Sequence, residues 1–172
     1  VKVNTLFAGG SFGRRSNKNS DYVVETAHIA KQNGQPVPIK LVWTREDDTN
    51  AGYFRPMYFH KLRAGLDSQG KIIAWQHKIV GQSVKSDSVY AAFITNGIDS
   101  TSVEGATSLP YTIPNFEVQL KTVESQVPVL WWRSVGSTHT AYSTEAFMDE
   151  LAAAAGQDPL VFRRAHLGDD PR

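Results

Sequence analysis

The strongest constraint on how this chain can fold lies in the middle of its first half. Two extended segments, residues 61–66 and 71–80, are separated by Asp67-Ser68-Gln69-Gly70. The second segment alternates Ile73, Trp75, His77 and Ile79 with Ala74, Gln76 and Lys78, a period of two that gives a strand one apolar face. An Asp…Gly turn between two such segments predicts an antiparallel hairpin covered on one side. A sheet with one covered face needs a second layer, and three stretches read as helix. Residues 21–32 carry Val23, Val24, Ala27 and Ala30 at helical spacing, with Ser20 as N-cap, Asp21 in the first turn and Asn33-Gly34 at the end. This helix is followed by residues 39–43, which read as a strand, an order that suggests helix packed on sheet. Residues 140–155 place Tyr142, Ala146, Phe147 and Leu151 on one stripe and stop at Gly156, and Asp158-Pro159 opens a last helix running to about Leu167. Residues 116–123 alternate Phe116, Val118 and Leu120 with Glu117, Gln119 and Lys121 and form a further strand. The pattern predicts an α+β fold, a mixed or antiparallel sheet packed with helices, as a single domain over residues 1–172.

Composition narrows the function. With 18 Lys and Arg against 17 Asp and Glu, the net charge is +1, too small a field to draw in nucleic acid or an anionic membrane from a distance. Any phosphate recognition must be local. The chain has no cysteine, which excludes disulfides, thiolate metal sites and cysteine-held iron–sulfur clusters within it. No apolar run has the length of a transmembrane helix. A start at Val1 rather than Met, running directly towards a glycine-rich loop, reads as an internal piece of a longer polypeptide.

That loop is Ala8-Gly9-Gly10-Ser11-Phe12-Gly13-Arg14-Arg15. Three glycines in five residues allow a sharp turn and close approach to a ligand. The two arginines offer planar forks of donors suited to phosphate, and the helix beginning near Ser20 adds a positive dipole end. The spacing is neither G-x-G-x-x-G nor the P-loop. On the residues alone, an anion cradle and a plain glycine turn with solvated arginines both stay open. Thr44-Arg45-Glu46-Asp47-Asp48 reads as a polar loop without EF-hand spacing, and the aromatic run from Tyr53 to Phe59 around Pro56 reads as core ahead of pocket lining. Residues 81–108 form a long polar connection, and Val127-Pro128-Val129-Leu130-Trp131-Trp132-Arg133-Ser134-Val135-Gly136 is too irregular for a plain strand. The five histidines, His28, His60, His77, His139 and His166, match no zinc spacing. Ser11 is not in a G-x-S-x-G setting. The residues offer a ligand-cradling backbone without an evident acid, base or nucleophile, which leaves a non-catalytic phosphate- or nucleotide-binding module and a structural interaction domain as alternatives to an enzyme.

Several motifs together carry a family resemblance. Gly9-Gly10-Ser11-Phe12-Gly13-Arg14-Arg15 resembles the G-G-G-F-G motif of the molybdopterin-binding large subunit in the xanthine dehydrogenase/aldehyde oxidase family. Trp132-Arg133-Ser134-Val135-Gly136, followed by the helix with Glu145, Met148, Asp149 and Glu150, resembles that family's F-R-G-F-G motif and helix. Val42-Trp43-Thr44-Arg45-Glu46-Asp47, Arg55-Pro56 and Tyr111-Thr112-Ile113-Pro114-Asn115 fall in the same order. The arginine pair, the Trp-Arg-Ser-Val-Gly run and Asp158-Pro159-Leu160 are most similar to the isoquinoline 1-oxidoreductase beta subunit and bacterial aldehyde dehydrogenase branch.

The resemblance implies a part of a molybdenum-cofactor-binding domain. Gly9, Gly10, Ser11, Phe12, Gly13, Arg14 and Arg133 take the places of cofactor-binding residues, and Trp132, Ser134 and Val135 those of the substrate pocket. No residue here takes a catalytic role or a direct bond to metal, because the family's general-base glutamate lies far C-terminal of these motifs. The implied cofactor is molybdopterin with molybdenum, in bacteria usually as the cytosine dinucleotide. The implied partners are a small subunit with 2Fe-2S clusters, a cytochrome c subunit as a further candidate, and an aldehyde or N-heterocycle as substrate. A periplasmic or membrane-associated bacterial location is implied, with a cytoplasmic one also open. Three departures matter. Ser11 replaces the middle glycine, Val135 stands where xanthine-oxidising members have phenylalanine, and Gly105 after Glu104 stands where they use an arginine, which argues against purines.

Overall fold

The computed structural model of the chain describes residues 2–168. By contacts the chain separates into two compact units: one of residues up to Arg55 together with Val127–Arg133, the other of Pro56–Gln126 together with residues from Ser134 on.

The second unit is built on the hairpin. Strands β1 (Tyr58–Leu66) and β2 (Ile72–Gly81) pair antiparallel from Tyr58 opposite Gly81 to Gly65 opposite Ala74. The turn is closed by Asp67, whose Oδ1 accepts from the amides of Gln69 and Lys71 at 2.9 Å each, and by Gly70 at φ +78°. The alternation read from the sequence fails at one place. Leu66 pairs with Ile72, so Ile73 is an extra residue on β2, a β-bulge. The bulge shifts the phase by one, so Ile72 is buried while Ile73 is exposed; beyond it Trp75, His77 and Ile79 are buried as the period of two requires. Strand β3 (Asn115–Thr122) then pairs parallel with β2, giving a three-stranded mixed sheet in the order β1-β2-β3.

Helices α4 (Ser137–Ala154) and α5 (Pro159–His166) accompany the sheet. The buried residues of α4 are Thr140, Thr144, Met148, Leu151 and Ala152, whereas Tyr142 is 80% exposed. The stripe expected from apolar residues is thus displaced. Thr140 is inside with its hydroxyl satisfied, Oγ1 lying 2.7 Å from Glu104 O and 3.0 Å from Gly136 O, which removes the cost of burying a bare hydroxyl; the buried Thr144 Oγ1 has no hydrogen-bond partner. Helix α5 starts as its sequence requires: Asp158 Oδ1 accepts from the Leu160 and Val161 amides at 2.9 and 3.0 Å, with Pro159 in the first turn. The main core joins Ile72 and Trp75 of β2, Met148, Leu151 and Ala152 of α4, and Phe162 of α5. A smaller cluster of Ile79, Val103 and Ala106 seats the long connection against the sheet. Within that connection run a 3₁₀ turn (Ala91–Phe93) and the short helix α3 (Ser100–Val103), capped by Asp99.

The first unit is organised differently. Helix α1 (Asp21–Asn33) ends at Gly34 with φ +65°, as read, but it buries no residue, and Val23, Val24, Ala27 and Ala30 are all exposed. Residues 39–43 pair with no other segment and form no strand among the described residues. An isolated extended segment has no ladder to join, so helix-on-sheet packing does not arise in this unit. The polar run from Thr44 is helix α2 (Arg45–Ala51), not loop: Thr44 Oγ1 accepts from the Asp47 amide and Asp47 Oδ2 accepts from the Thr44 amide, a reciprocal cap. The missed signal is an Asp in place of the usual Glu or Gln. Phe54 and Val129 form a parallel bridge, with Phe54 N donating to Pro128 O and Leu130 N to Phe54 O.

Truncating Phe162, which is 0% exposed in the main core, to alanine should cost about 3–5 kcal/mol. Asp158→Ala should cost about 1 kcal/mol, the usual worth of an N-cap. Urea unfolding of the two variants checks the order; equal losses would contradict this placement of the core.

Candidate functional site

In the first unit the glycine loop makes a tight turn. The Arg14 amide donates to Ser11 O at 3.0 Å, and both central residues are left-handed, Phe12 at φ +52° and Gly13 at φ +98°. Positive φ at both positions is the signature of a type I′ turn. Gly13 fits this place, while Phe12 holds it at a cost of about 1–2 kcal/mol. Gly9 (φ +65°) and Gly10 (φ +104°) are left-handed as well. Among the described residues, the backbone amides of Gly9, Gly10, Ser11, Phe12 and Gly13 donate to no protein group. Five successive free N–H donors on a strained, glycine-rich turn are what a backbone built to receive a ligand presents.

Space near Gly13 is tight. A Cβ there would come 2.0 Å from the carbonyl oxygen of Trp131, so the loop runs directly against the segment that carries the second motif. Arg133 stacks over the Phe12 ring, its guanidinium carbon 5.3 Å from the ring centre. Ser11, Phe12, Arg14, Trp132 and Arg133 line one cavity of about 850 Å³, together with Arg45, Asp48, Thr49, Tyr53, Phe54 and Arg55. The walls are therefore aromatic, with four arginines against a single carboxylate.

Arg14 and Arg15 differ in role. Arg14 donates from Nη1 and Nη2 to Oδ1 and Oδ2 of Asp21 at 3.1 and 2.9 Å, and its guanidinium lies 5.6 Å from the rings of Trp43 and Tyr53. The hydrogen bonds it donates to Asp21 raise its pKa and keep it charged. Arg15 is exposed. The expected side-chain cap at Ser20 is absent: Ser20 is left-handed at φ +48° and its side chain makes no capping bond. Asp21 takes that place instead, its Oδ1 accepting from the Tyr22 amide at 2.8 Å. The anion at the start of α1 is built in, and Arg14 neutralises it.

Of the residues singled out by sequence, the structure brings Ser11, Phe12, Arg14, Trp132 and Arg133 to one cavity, with Gly9, Gly10 and Gly13 shaping the loop behind Phe12. Ser134 and Val135 group by contact with the second unit, and both are left-handed, at φ +69° and +45°. For the run holding Tyr53, Phe54 and Arg55 the sequence left pocket lining open behind core. Their aromatic run reads as core, yet Phe54 is 47% exposed and Tyr53 half-buried, and both line the cavity. The arginine beside them was the available signal. Among the described residues no group of three or more His, Asp or Glu converges on a point that could hold a metal ion.

The loop geometry separates two substitutions. Gly9→Ala meets nothing within 4 Å and carries only the left-handed penalty, about 1–2 kcal/mol. Gly13→Ala carries that penalty and must also push Trp131 away. Thermal melts should therefore show a clearly larger loss for Gly13→Ala; the reverse order would contradict the packing of the loop on Trp131.

The family model described as molybdopterin cofactor-binding domain matches residues 1–167. The isoquinoline 1-oxidoreductase subunit beta of Brevundimonas diminuta is 29% identical over 95% of this chain and 21% of its own length. The 6-hydroxypseudooxynicotine dehydrogenase complex subunit gamma of Paenarthrobacter nicotinovorans is 30% identical over 97% of the chain and 20% of its own length. The aldehyde oxidoreductase of Desulfovibrio gigas superposes with a TM-score of 0.70 at 23% identity, over 95% of this chain and 17% of that one. The chain spans about a fifth of the length of the curated relatives it matches. With the free-amide glycine loop, the second motif packed against it and a match along nearly all its length, the chain belongs to the molybdopterin cofactor-binding domain family.

Proposed function

We propose that the turn from Gly9 to Gly13, with Trp132 and Arg133 beside it, forms part of the cradle for a molybdenum cofactor. The intact protein is then a molybdenum-dependent oxidoreductase acting on an aldehyde or N-heterocycle. The observation that carries this reading is the row of free amides on a strained turn at an aromatic, arginine-lined cavity.

The donor set fits an anionic, oxygen- and phosphate-bearing group. Backbone amides are fixed by the fold before any ligand arrives, so their dipoles need no reorganisation when charge develops. Phe12 and Trp132 supply apolar surface to the cavity wall. Arg45, Arg55 and Arg133 surround the cavity with positive charge, and Arg14, locked by Asp21, stiffens its rim. When bound, the molybdenum cofactor supplies the two-electron oxidation of an activated carbon with water as the oxygen source. The chain's residues bind and orient; the base that takes a proton lies outside them.

The names of relatives support the substrate class: two refer to isoquinoline and 6-hydroxypseudooxynicotine, and others to nicotinate and aldehydes. Several are subunits of larger complexes, which supports partner subunits. We extend the reading to the cytosine dinucleotide form of the cofactor, to 2Fe-2S clusters on a small partner subunit as the electron exit, and to a periplasmic or membrane-associated setting. This chain expressed alone should not turn over substrate.

Gly10→Val tests the cradle. Its Cβ would meet the Phe12 ring at 3.3 Å on a left-handed backbone, so molybdenum per polypeptide in the intact protein should fall about tenfold or more. Gly34→Ala, also left-handed but open on all sides, should keep its molybdenum. Elemental analysis of the purified proteins decides. Equal metal content in both variants would leave the loop a plain turn, and no molybdenum in the unmodified protein would favour a phosphate-binding module.

A further inference from the structure

Three histidines distant in sequence meet in the second unit. His60 Nδ1 lies 2.8 Å from His77 Nε2, and His60 Nε2 lies 3.1 Å from His139 Nδ1. The three rings therefore form a chain across β1, β2 and the first turn of α4. Tyr58 stacks on the far side of His139, ring centres 3.7 Å apart and planes 14° from parallel. The chain's two outer nitrogens, His77 Nδ1 and His139 Nε2, are buried and have no hydrogen-bond partner. The rings touch end to end rather than converging on a point, which is a poor arrangement for a metal.

Proton counting shows what such a chain can do. Six ring nitrogens share two N–H···N contacts and two outer positions. Three neutral rings carry three hydrogens: one in each contact and one at an outer nitrogen. A first added proton fills the other outer nitrogen and leaves a buried cation without a partner. A second must put two hydrogens into one contact, and nitrogens 2.8–3.1 Å apart cannot hold that. The ionisable groups on the elements packed here do not relieve it. Asp99, capping α3, is engaged by Ser83, Thr101 and Lys85. Glu104 accepts from the Gly136 amide. Tyr58 is bonded to Gln82 O and Ser102. Further along α4, Glu145 and Asp149 are taken by Arg163.

We propose that His60, His77 and His139 form an acid-sensitive latch: neutral, they fasten the first turn of α4 to the β1–β2 hairpin, and on double protonation they release it. Burial, with repulsion from the neighbouring rings, holds His77 and His139 at about 4, and burial lowers His60 as well. A histidine depressed in the closed state is protonated more readily in the open one. The latch is therefore fully closed above the ordinary value near 6.5 and is lost as pH falls from there towards 4.

Hydrogen exchange of peptides spanning residues 137–144 in the intact protein, corrected for the intrinsic pH dependence, reads the latch. Protection should drop about tenfold or more between pH 6.5 and 5, with peptides around Phe162 unchanged. His139→Gln, which keeps a donor and an acceptor but cannot take a proton in this range, should reduce the drop to less than threefold. In the unmodified protein, nitrogen-15 spectra of labelled histidine should show His77 and His139 neutral at pH 6. Ordinary titration of both near 6.5, or the same pH-dependent exchange in His139→Gln, would overturn the proposal. The spectra need no variant, so a His139→Gln protein that fails to fold leaves the test intact.

Discussion

One hydrogen bond links the hairpin to the far end of the chain. The Ile72 amide donates to His166 Nε2 at 3.0 Å across ninety-four residues, while His166 Nδ1 donates to Phe162 O at 2.8 Å. The bond sits where the β-bulge interrupts the ladder and would leave a buried amide alone. An unpartnered amide in that core would cost about 1–3 kcal/mol. With His166 in place, the bulge turns Ile72 inward, Trp75 remains inside above it, and Phe162 finds both. Core, bulge and last helix depend on the same imidazole.

Among the described residues the first unit has no comparable hydrophobic centre, since both clusters of buried apolar residues lie in the second. A cationic side chain takes over the organising role. Arg14 joins the glycine loop to the start of α1 through Asp21 and approaches the rings of Trp43 and Tyr53. Trp43 in turn donates from its indole to Glu25 Oε2 at 2.8 Å, tying the segment before α2 to α1. These are directional contacts, and they fix the loop's path without a large buried area. On the proposed reading of the loop as part of a cofactor cradle, such support leaves the amides uncovered while limiting their movement.

Local chemistry made most of the second unit legible. The hairpin, β3, the α5 cap and the end of α4 follow from alternation, Asp–Gly turn residues, Gly156 and Asp-Pro, while α4 starts at Ser137, three residues ahead of its reading. What escaped was set by pairing over long distances. The bulge that exposes Ile73, the burial of Thr140 and Thr144, and the parallel direction of β3 depend on partners that periodicity does not see. In the first unit, residues 39–43 have strand character and no strand to join, and α2 hid behind an Asp where a longer acid is usual. The site divided the same way. Its glycine loop and the Trp132-Arg133 pair stood out as motifs, whereas the aromatic run with Tyr53 and Phe54 read as core ahead of pocket lining because exposure is a property of the fold and not of the residue.

The direction of β3 also bears on how this unit assembles. The β1–β2 hairpin closes over the five residues 67–71 and has only local contacts to make, an event of microseconds in isolated hairpins. The parallel partner must return across residues 82–114 before its first ladder bond forms, with loop-closure entropy lost in advance of any reward. Sequence separation of this kind slows folding. During synthesis the hairpin would emerge and form early, while its β2 edge waits for β3. The order of the strands in space, β1-β2-β3, is thus also the order in which they can join.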